Sequence, residues 1–428
     1  MWCVLLAVYV IAGANLVPFH GDESTLIYMG RDSYYQFIDR DISKIYYDDT
    51  GTVSPTEQQL RLINGTIPKY IYGFVAINNG YTIEEINEQW DWGADYIYNQ
   101  DTNRLPDEQL LSASRIVSSI QFALALIALF AVGRIIFNRP IAYMATLYIF
   151  LNPNLLINTR RAMMEGSHIL GLALLVLIAV WTIRERKWWQ YILLGIIAGF
   201  AVASKHPNAI INGLIFISIF TFVGWQAIRS KASIIAQTTR TMVDLCIAGL
   251  FTVGIFWLLN PALWRKPIAG IQESLSLRND LLQLQSNAFN SYTSLGERLS
   301  GFFDFIFVAT PQYFEVDQWA TYPVISAQIG VYEQSILSGV AVGGSIIGGL
   351  VVMLLTVFGL IHFARNTQFS LEHRWLLTVV GGGICIITFI LTPLTWGRYY
   401  LPIFPFVGFY LAYAVYTLTA TIWKRYTV

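Results

Sequence analysis

Charge is scarce in this chain. Asp, Glu, Lys and Arg make up 13% of its 428 residues, against roughly 25% in an ordinary soluble domain. The deficit falls in long blocks, which excludes one large soluble core and points to membrane spans. Net charge is zero, so composition suggests neither nucleic acid nor an acidic partner. Cysteine is nearly absent: Cys3, Cys246 and Cys385 all lie in apolar stretches. Neither a disulfide framework nor a Cys-based metal site is expected from them. The N-terminal stretch, Met1 to Val17, lacks a basic leader, and Asn15, Pro18 and Phe19 make a poor cleavage site, so it reads as a retained span. There is no internal repeat and no low-complexity tract, which excludes solenoids and disordered tails.

What the chain does have is apolar runs of the length a bilayer requires, about 20 residues per helix. Ten occur, at about 2–17, 113–137, 140–158, 164–183, 190–204, 208–228, 241–259, 337–363, 375–393 and 399–423. The expected fold is therefore an all-α polytopic membrane protein of about ten transmembrane helices, one domain over residues 1–428. Short connections with Arg134 and Arg139, with Arg184, Arg186 and Lys187, and with Arg365 and Arg374 are nearly free of acids. Such loops face the cytoplasm. The opposite, extracytoplasmic face then receives two long segments, 18–112 and 260–336. The first mixes Tyr34, Tyr35, Tyr46, Tyr47, Trp90 and Trp92 with polar residues and is expected to form juxtamembrane helices. Thr82-Ile83-Glu84-Glu85 has the form of a helix start with Thr82 as cap.

Five clusters on that outer face carry chemistry, each with a plainer alternative. His20-Gly21-Asp22-Glu23 follows the first span; adjacent acids beside an embedded helix need solvent, a partner or a metal. A carboxylate there can act as a general base, or simply mark a polar helix end. Arg160-Arg161, with Glu165, offers guanidinium forks suited to phosphate, or snorkelling arginines and a helix cap. Ser204-Lys205-His206-Pro207 is an anion contact or a turn. Asn260 to Pro267 includes Trp264, an interface anchor or a sugar contact. Trp396 to Pro402 carries Arg398 and Tyr399, a cation with aromatic flanks that belt the membrane or stack on sugar. Their common sidedness suggests one surface where acids activate a hydroxyl and cations stabilise a phosphate leaving group. That layout suits glycosyl transfer from a lipid-linked sugar phosphate. No cofactor is required by it, and a divalent cation is optional. A transporter or flippase of lipid-linked sugars is the rival reading, but duplicated halves and paired broken helices are not evident.

At these same residues the chain resembles the GT-C membrane glycosyltransferases, in the protein O-mannosyltransferase and aminoarabinose transferase branch (glycosyltransferase family 39-like). "PFHGDESTLIYMGRD" is similar to that branch's first outer loop, and "RRAMMEG" to its Arg-x-x-Met-x-Glu/Asp stretch. "ASKHP", "NPALWRKPIAGI" and "WGRYYLPIFPF" resemble further segments, in family order along nearly the whole chain; "RLINGTIPKYIYG" also looks familiar. The resemblance implies a GT-C-like helical core with Asp22 as catalytic base and Glu23 supporting it or binding acceptor. It implies Arg160 or Arg161, Lys205 and Arg398 as contacts to the donor phosphate. His20, Glu165, His206, Trp264 and Tyr399 are the expected substrate contacts, and no metal ligands are assigned. The implied partners are a polyprenyl-phosphate sugar donor, an extracytoplasmic acceptor hydroxyl on protein, lipid or glycan, and the bilayer. The implied setting is a prokaryotic cell membrane. One departure is the lack of a Trp-Trp-Asp motif, the nearest stretch being Gln89-Trp90-Asp91-Trp92, which argues against an oligosaccharyltransferase.

Overall fold

A computed structural model describes the whole chain except residues 52, 231–232, 290 and 427–428. Among the described residues the structure is helical, without a β-strand; Ser291 and Leu394 form an isolated antiparallel bridge. Seven helices are long and apolar enough to cross a membrane: Glu108–Ile136, Glu165–Glu185, Asn208–Arg229, Ile234–Leu258, Ile346–Arg365, Leu371–Leu391 and the continuous Gly397–Trp423. Two further runs are bent pairs, Trp2–Leu16 with Gly21–Ile38 at 98° and Arg139–Leu151 with Pro153–Arg160 at 63°. Trp188–Ser204 is apolar but shorter. The chain is thus an integral, multi-pass membrane protein, and each of the ten apolar runs holds a helix.

Both bends occur where proline removes a backbone donor. The Asn152 side chain accepts the Leu155 N–H at 3.1 Å and restarts a helix at Pro153. Pro18 ends the first run, and His20 caps the next helix at Gly21. The run read from residue 337 becomes a helix only at Ile346. Gly339 and Gly344 there adopt φ of +91° and +58°, which a right-handed helix does not allow. The expected start at Thr82 yields one 3₁₀ turn, Ile83–Glu85, closed by the Glu85 carboxylate on the Thr82 N–H at 2.7 Å.

Small residues let the short Trp188–Ser204 helix pack closely. A Cβ at Gly195 would lie 2.3 Å from the Ala248 carbonyl oxygen, so this helix and Ile234–Leu258 meet backbone to backbone.

The segments 18–112 and 260–336 interlock at one end of the bundle. Phe19 N–H donates to Gln328 Oε1 at 2.8 Å, Tyr47 N–H to the Ala262 carbonyl at 2.8 Å, and Ser274 Oγ to the Leu62 carbonyl at 2.7 Å. Phe19, Trp90, Tyr96, Phe314 and Ile325 form an apolar cluster between them. Within the first segment, Asp32 is buried between Lys69 at 2.6 Å and Arg61 at 2.8 Å.

Glu23 ties this layer to the bundle. Its carboxylate meets Arg115 in a two-pronged pair, both contacts 2.7 Å, and accepts the His20 and Ala162 N–H groups at 3.0 and 2.9 Å. Four donors satisfy a fully buried carboxylate. Replacing Arg115 by Met should cost about 3–5 kcal/mol by leaving that charge unpaired, and Glu23→Gln added to Arg115→Met should recover much of it. Thermal unfolding of the detergent-solubilised variants checks this; a double variant less stable than the Arg115→Met single would contradict it.

Candidate active site

The Gly21–Tyr28 helix begins with a reciprocal cap. His20 Nδ1 accepts the Asp22 N–H at 3.1 Å while Glu23 accepts the His20 N–H. A ring nitrogen that accepts carries no proton, so His20 presents its Nε2–H, which lies 2.9 Å from Glu315 Oε2. The other Glu315 oxygen lies 3.1 Å from Arg398 Nε, and Arg398 Nη1 meets Asp22 Oδ2 at 2.5 Å. Residues 20, 315, 398 and 22 thus form one chain of polar contacts. The Asp22 side chain keeps 27% of its surface exposed, unlike Glu23 beside it.

A second pair lies nearby. Glu165 opens the Glu165–Glu185 helix and accepts Lys205 Nζ at 2.7 Å; its other oxygen is buried without a partner among the described residues. Lys205 stands where two helices meet in the Ser204–Pro207 turn. The outer layer presses on this turn, since a Cβ at Gly65 would fall 2.0 Å from the Ser204 carbonyl oxygen. Arg278, on the Pro267–Ala288 helix, completes the set; no carboxylate among the described residues lies within ion-pair distance of it.

These groups surround two adjoining spaces. A cavity of about 250 Å³, more polar than the groove beside it, is lined by Asp22, Glu165, Gln89 and Trp92, with Leu26, Leu60, Met163 and Met164 also on its wall. An apolar groove of about 180 Å³ runs between Ile210 and Ile211 on one side and Ile384, Ile387 and Leu391 on the other. Lys205, Arg278, Arg398 and Tyr399 line both spaces and mark their junction. Among the described residues no group of three or more His, Cys, Asp or Glu side chains is placed to hold a metal ion.

Of the residues singled out from sequence, the structure brings Asp22, Glu165, Lys205, Arg398 and Tyr399 together. His20 is buried behind Asp22. Glu23 does not line the cavity and is held by Arg115. Arg160 and Arg161 are also kept out of it. Arg160 caps the end of the first helix, donating to the Tyr9 and Val10 carbonyls at 2.8 Å each and to Tyr332 Oη at 3.0 Å. Those carbonyls lack helical partners, which is why a buried guanidinium is satisfied there. Arg161 donates to the Pro18 and Tyr313 carbonyls at 3.0 and 2.9 Å. His206 packs edge-on against Phe256, and burial, helped by Arg278, pushes its imidazole down to about 4. Trp264 is also outside the cavity, donating to the Trp257 carbonyl at 2.8 Å. Sequence reading missed Glu315 and Arg278. Glu315 has no local signal, lying in a loop with Asp317 close behind it and outside every motif of the outer face. Arg278 has a faint one, the i, i+3, i+7 spacing of Arg278, Leu281 and Gln285 on one helix face.

No protein-family model matches the chain, and no curated protein matches it in sequence. Solved structures do match in shape. ArnT from Cupriavidus metallidurans in the apo state superposes with a TM-score of 0.56 at 11% identity, covering 99% of this chain and 60% of that one. The apo oligosaccharyltransferase of Archaeoglobus fulgidus gives 0.51 at 12% identity, covering 100% of this chain and 51% of that one. The chain therefore spans between half and three-fifths of the length of these structures. The likeness shows the fold alone: the helical membrane architecture of this chain is shared with those two structures.

Glu315 gives the polar chain a pH signature. Burial alone would push its carboxyl up, but Arg398 and His20 outweigh burial and hold it well below the usual carboxylate range. Such a group adds stability above the unfolded-state value of about 4.3 and loses it as pH falls below that value toward the folded one. The melting-temperature gap between the parent and Glu315→Gln should stay constant from about pH 7 to 5 and shrink below about 4.3. A gap unchanged at about pH 3 would contradict the pairing.

Proposed function

We propose that this protein transfers a sugar from a polyprenyl-phosphate carrier to an acceptor hydroxyl at the extracytoplasmic face, with inversion. The observation that carries this reading is the junction: three cations where a polar cavity holding a part-exposed carboxylate meets an apolar groove. A lipid-linked sugar phosphate has the same order of parts. Its chain fits the groove, its phosphate the cations, and its sugar the polar cavity. Among the described residues Arg278 has no carboxylate partner, so its charge is available to phosphate without breaking an internal pair.

In the proposed step the acceptor oxygen attacks the anomeric carbon from the side opposite the phosphate. Its proton passes to an Asp22 oxygen as the new carbon–oxygen bond forms. The bond from the anomeric carbon to the phosphate oxygen breaks, and polyprenyl phosphate leaves with its added negative charge against Lys205, Arg278 and Arg398. One displacement without a covalent sugar intermediate inverts the centre. Arg398 links the two ends: a phosphate that draws Nη1 away frees Asp22, while Glu315 retains the guanidinium through Nε. Glu23 and Arg115 keep the short helix carrying Asp22 in place. The outer placement rests on the acid-poor basic loops of the opposite face. Asp22 supports a transferase reading because activating an acceptor hydroxyl calls for a base beside the cations that hold the phosphate.

Asp22→Asn should lower sugar transfer by about 10²–10⁴-fold while membrane insertion and melting temperature hold. The assay is release of prenyl phosphate from prenyl-phosphate sugars supplied with membranes; activity within about twofold of the parent would remove Asp22 as base. Arg278→Gln should raise the KM for the donor about 10–100-fold, whereas Arg160→Gln should mainly lower the melting temperature. The opposite pattern would return the phosphate role to Arg160.

A further inference from the structure

The cavity beyond the cationic junction carries a specificity of its own. Apart from Asp22, Glu165 and the junction residues, no ionisable side chain lines it among the described residues. Its wall there sets Thr56, Gln59, Asn64, Gln89 and Gln285 among apolar side chains such as Leu60, Ile63 and Leu281, with the Trp92 ring. Among the described residues Gln285 Oε1 is buried without a hydrogen-bond partner. Asn64 spends its amide nitrogen on the Leu60 carbonyl at 3.1 Å and leaves its oxygen open. A carboxamide both donates and accepts, as a sugar hydroxyl does, and a buried carbonyl left unpaired is unfavourable until a donor reaches it.

Two helices set the spacing. Thr56, Gln59 and Ile63 share one face of Pro55–Ile63, and Arg278, Leu281 and Gln285 share one face of Pro267–Ala288. Seven residues at 1.5 Å rise put Gln285 about 10 Å along the axis from Arg278. That distance places a sugar ring against the carboxamides when its phosphate is at Arg278. Trp92, held against Trp319 with ring centroids 4.4 Å apart, offers an apolar surface to the ring's C–H groups.

We infer that this chamber selects a neutral, hydroxyl-rich sugar and rejects sugars bearing an ammonium or a carboxylate. The inference rests on the proposed donor reading and names the donor's sugar class. An ammonium on the far side of the sugar would be desolvated among carboxamides, because Asp22 and Glu165 stand at the junction beside Arg398 and Lys205. A carboxylate would be desolvated among carboxamides with no cation beyond those the phosphate occupies.

The test is direct binding to the full-length protein in nanodiscs, using farnesyl phosphate and its esters of glucose, 6-amino-6-deoxyglucose and glucuronic acid. The glucosyl ester should bind about tenfold more tightly than bare farnesyl phosphate, and the two charged esters no more tightly than farnesyl phosphate. Gln285→Leu should erase the glucosyl gain and leave farnesyl phosphate binding unchanged. Gln285→Glu should turn preference toward the amino ester, a change that a merely structural glutamine would not produce. Farnesyl phosphate binding with equal or stronger binding of a charged ester would overturn this inference and leave the donor reading standing. So would a Gln285→Leu loss shared equally by farnesyl phosphate. Absence of binding by farnesyl phosphate and all three esters would bring down the donor reading and this inference with it.

Discussion

Arg398 stands between Glu315 and Asp22, and the arrangement of this end of the molecule depends on that position. Buried or half-buried carboxylates beside a membrane are tolerated only when paired or hydrated. Residues 22, 315 and 398 come from three distant stretches, so satisfying one arginine brings the first helix turn, the second long segment and the last span to a common point. His20 extends the same logic, because capping its own helix fixes the tautomer it offers to Glu315. The neighbouring acids Asp22 and Glu23 then diverge in environment. Glu23 has four donors and no exposure, and it holds structure. Asp22 has one strong partner and an open side, and it is free to exchange that partner.

A substrate that is lipid at one end and sugar at the other needs a site with a sharp change of polarity. Here the change occurs over the few residues shared by groove and cavity, Lys205, Arg278, Arg398 and Tyr399. Cations at such a boundary serve an anionic group that joins an apolar chain to a polar head. On the proposed reading the same cations stabilise the leaving phosphate, so recognition and rate arise from one set of contacts.

Much of the fold was legible from apolar length alone, since a span has few ways to satisfy its backbone except as a helix. The breaks at Pro18 and Pro153 are legible in retrospect as missing donors. The late start at Ile346 was not, because glycine reads as apolar in a run although it permits backbone no span can use. Within the site, Asp22, Lys205 and Arg398 stood out as charges where charge is costly. The same signal marked Arg160 and Arg161, whose guanidinium groups lie on backbone carbonyls: sequence cannot tell an arginine facing a ligand from one absorbed by the backbone. Glu315 and Arg278 acquire meaning only through what the fold sets opposite them.

The central claim is that phosphate belongs at the junction of groove and cavity. A cryo-electron microscopy structure in nanodiscs with a polyprenyl phosphate tests it most directly. The account predicts phosphate oxygens within hydrogen-bond reach of Lys205, Arg278 and Arg398, the chain along Ile210 and Ile384, and the Asp22–Arg398 contact loosened. Phosphate bound elsewhere, with Arg398 still closed on Asp22 and the groove filled only by bulk lipid, would contradict it.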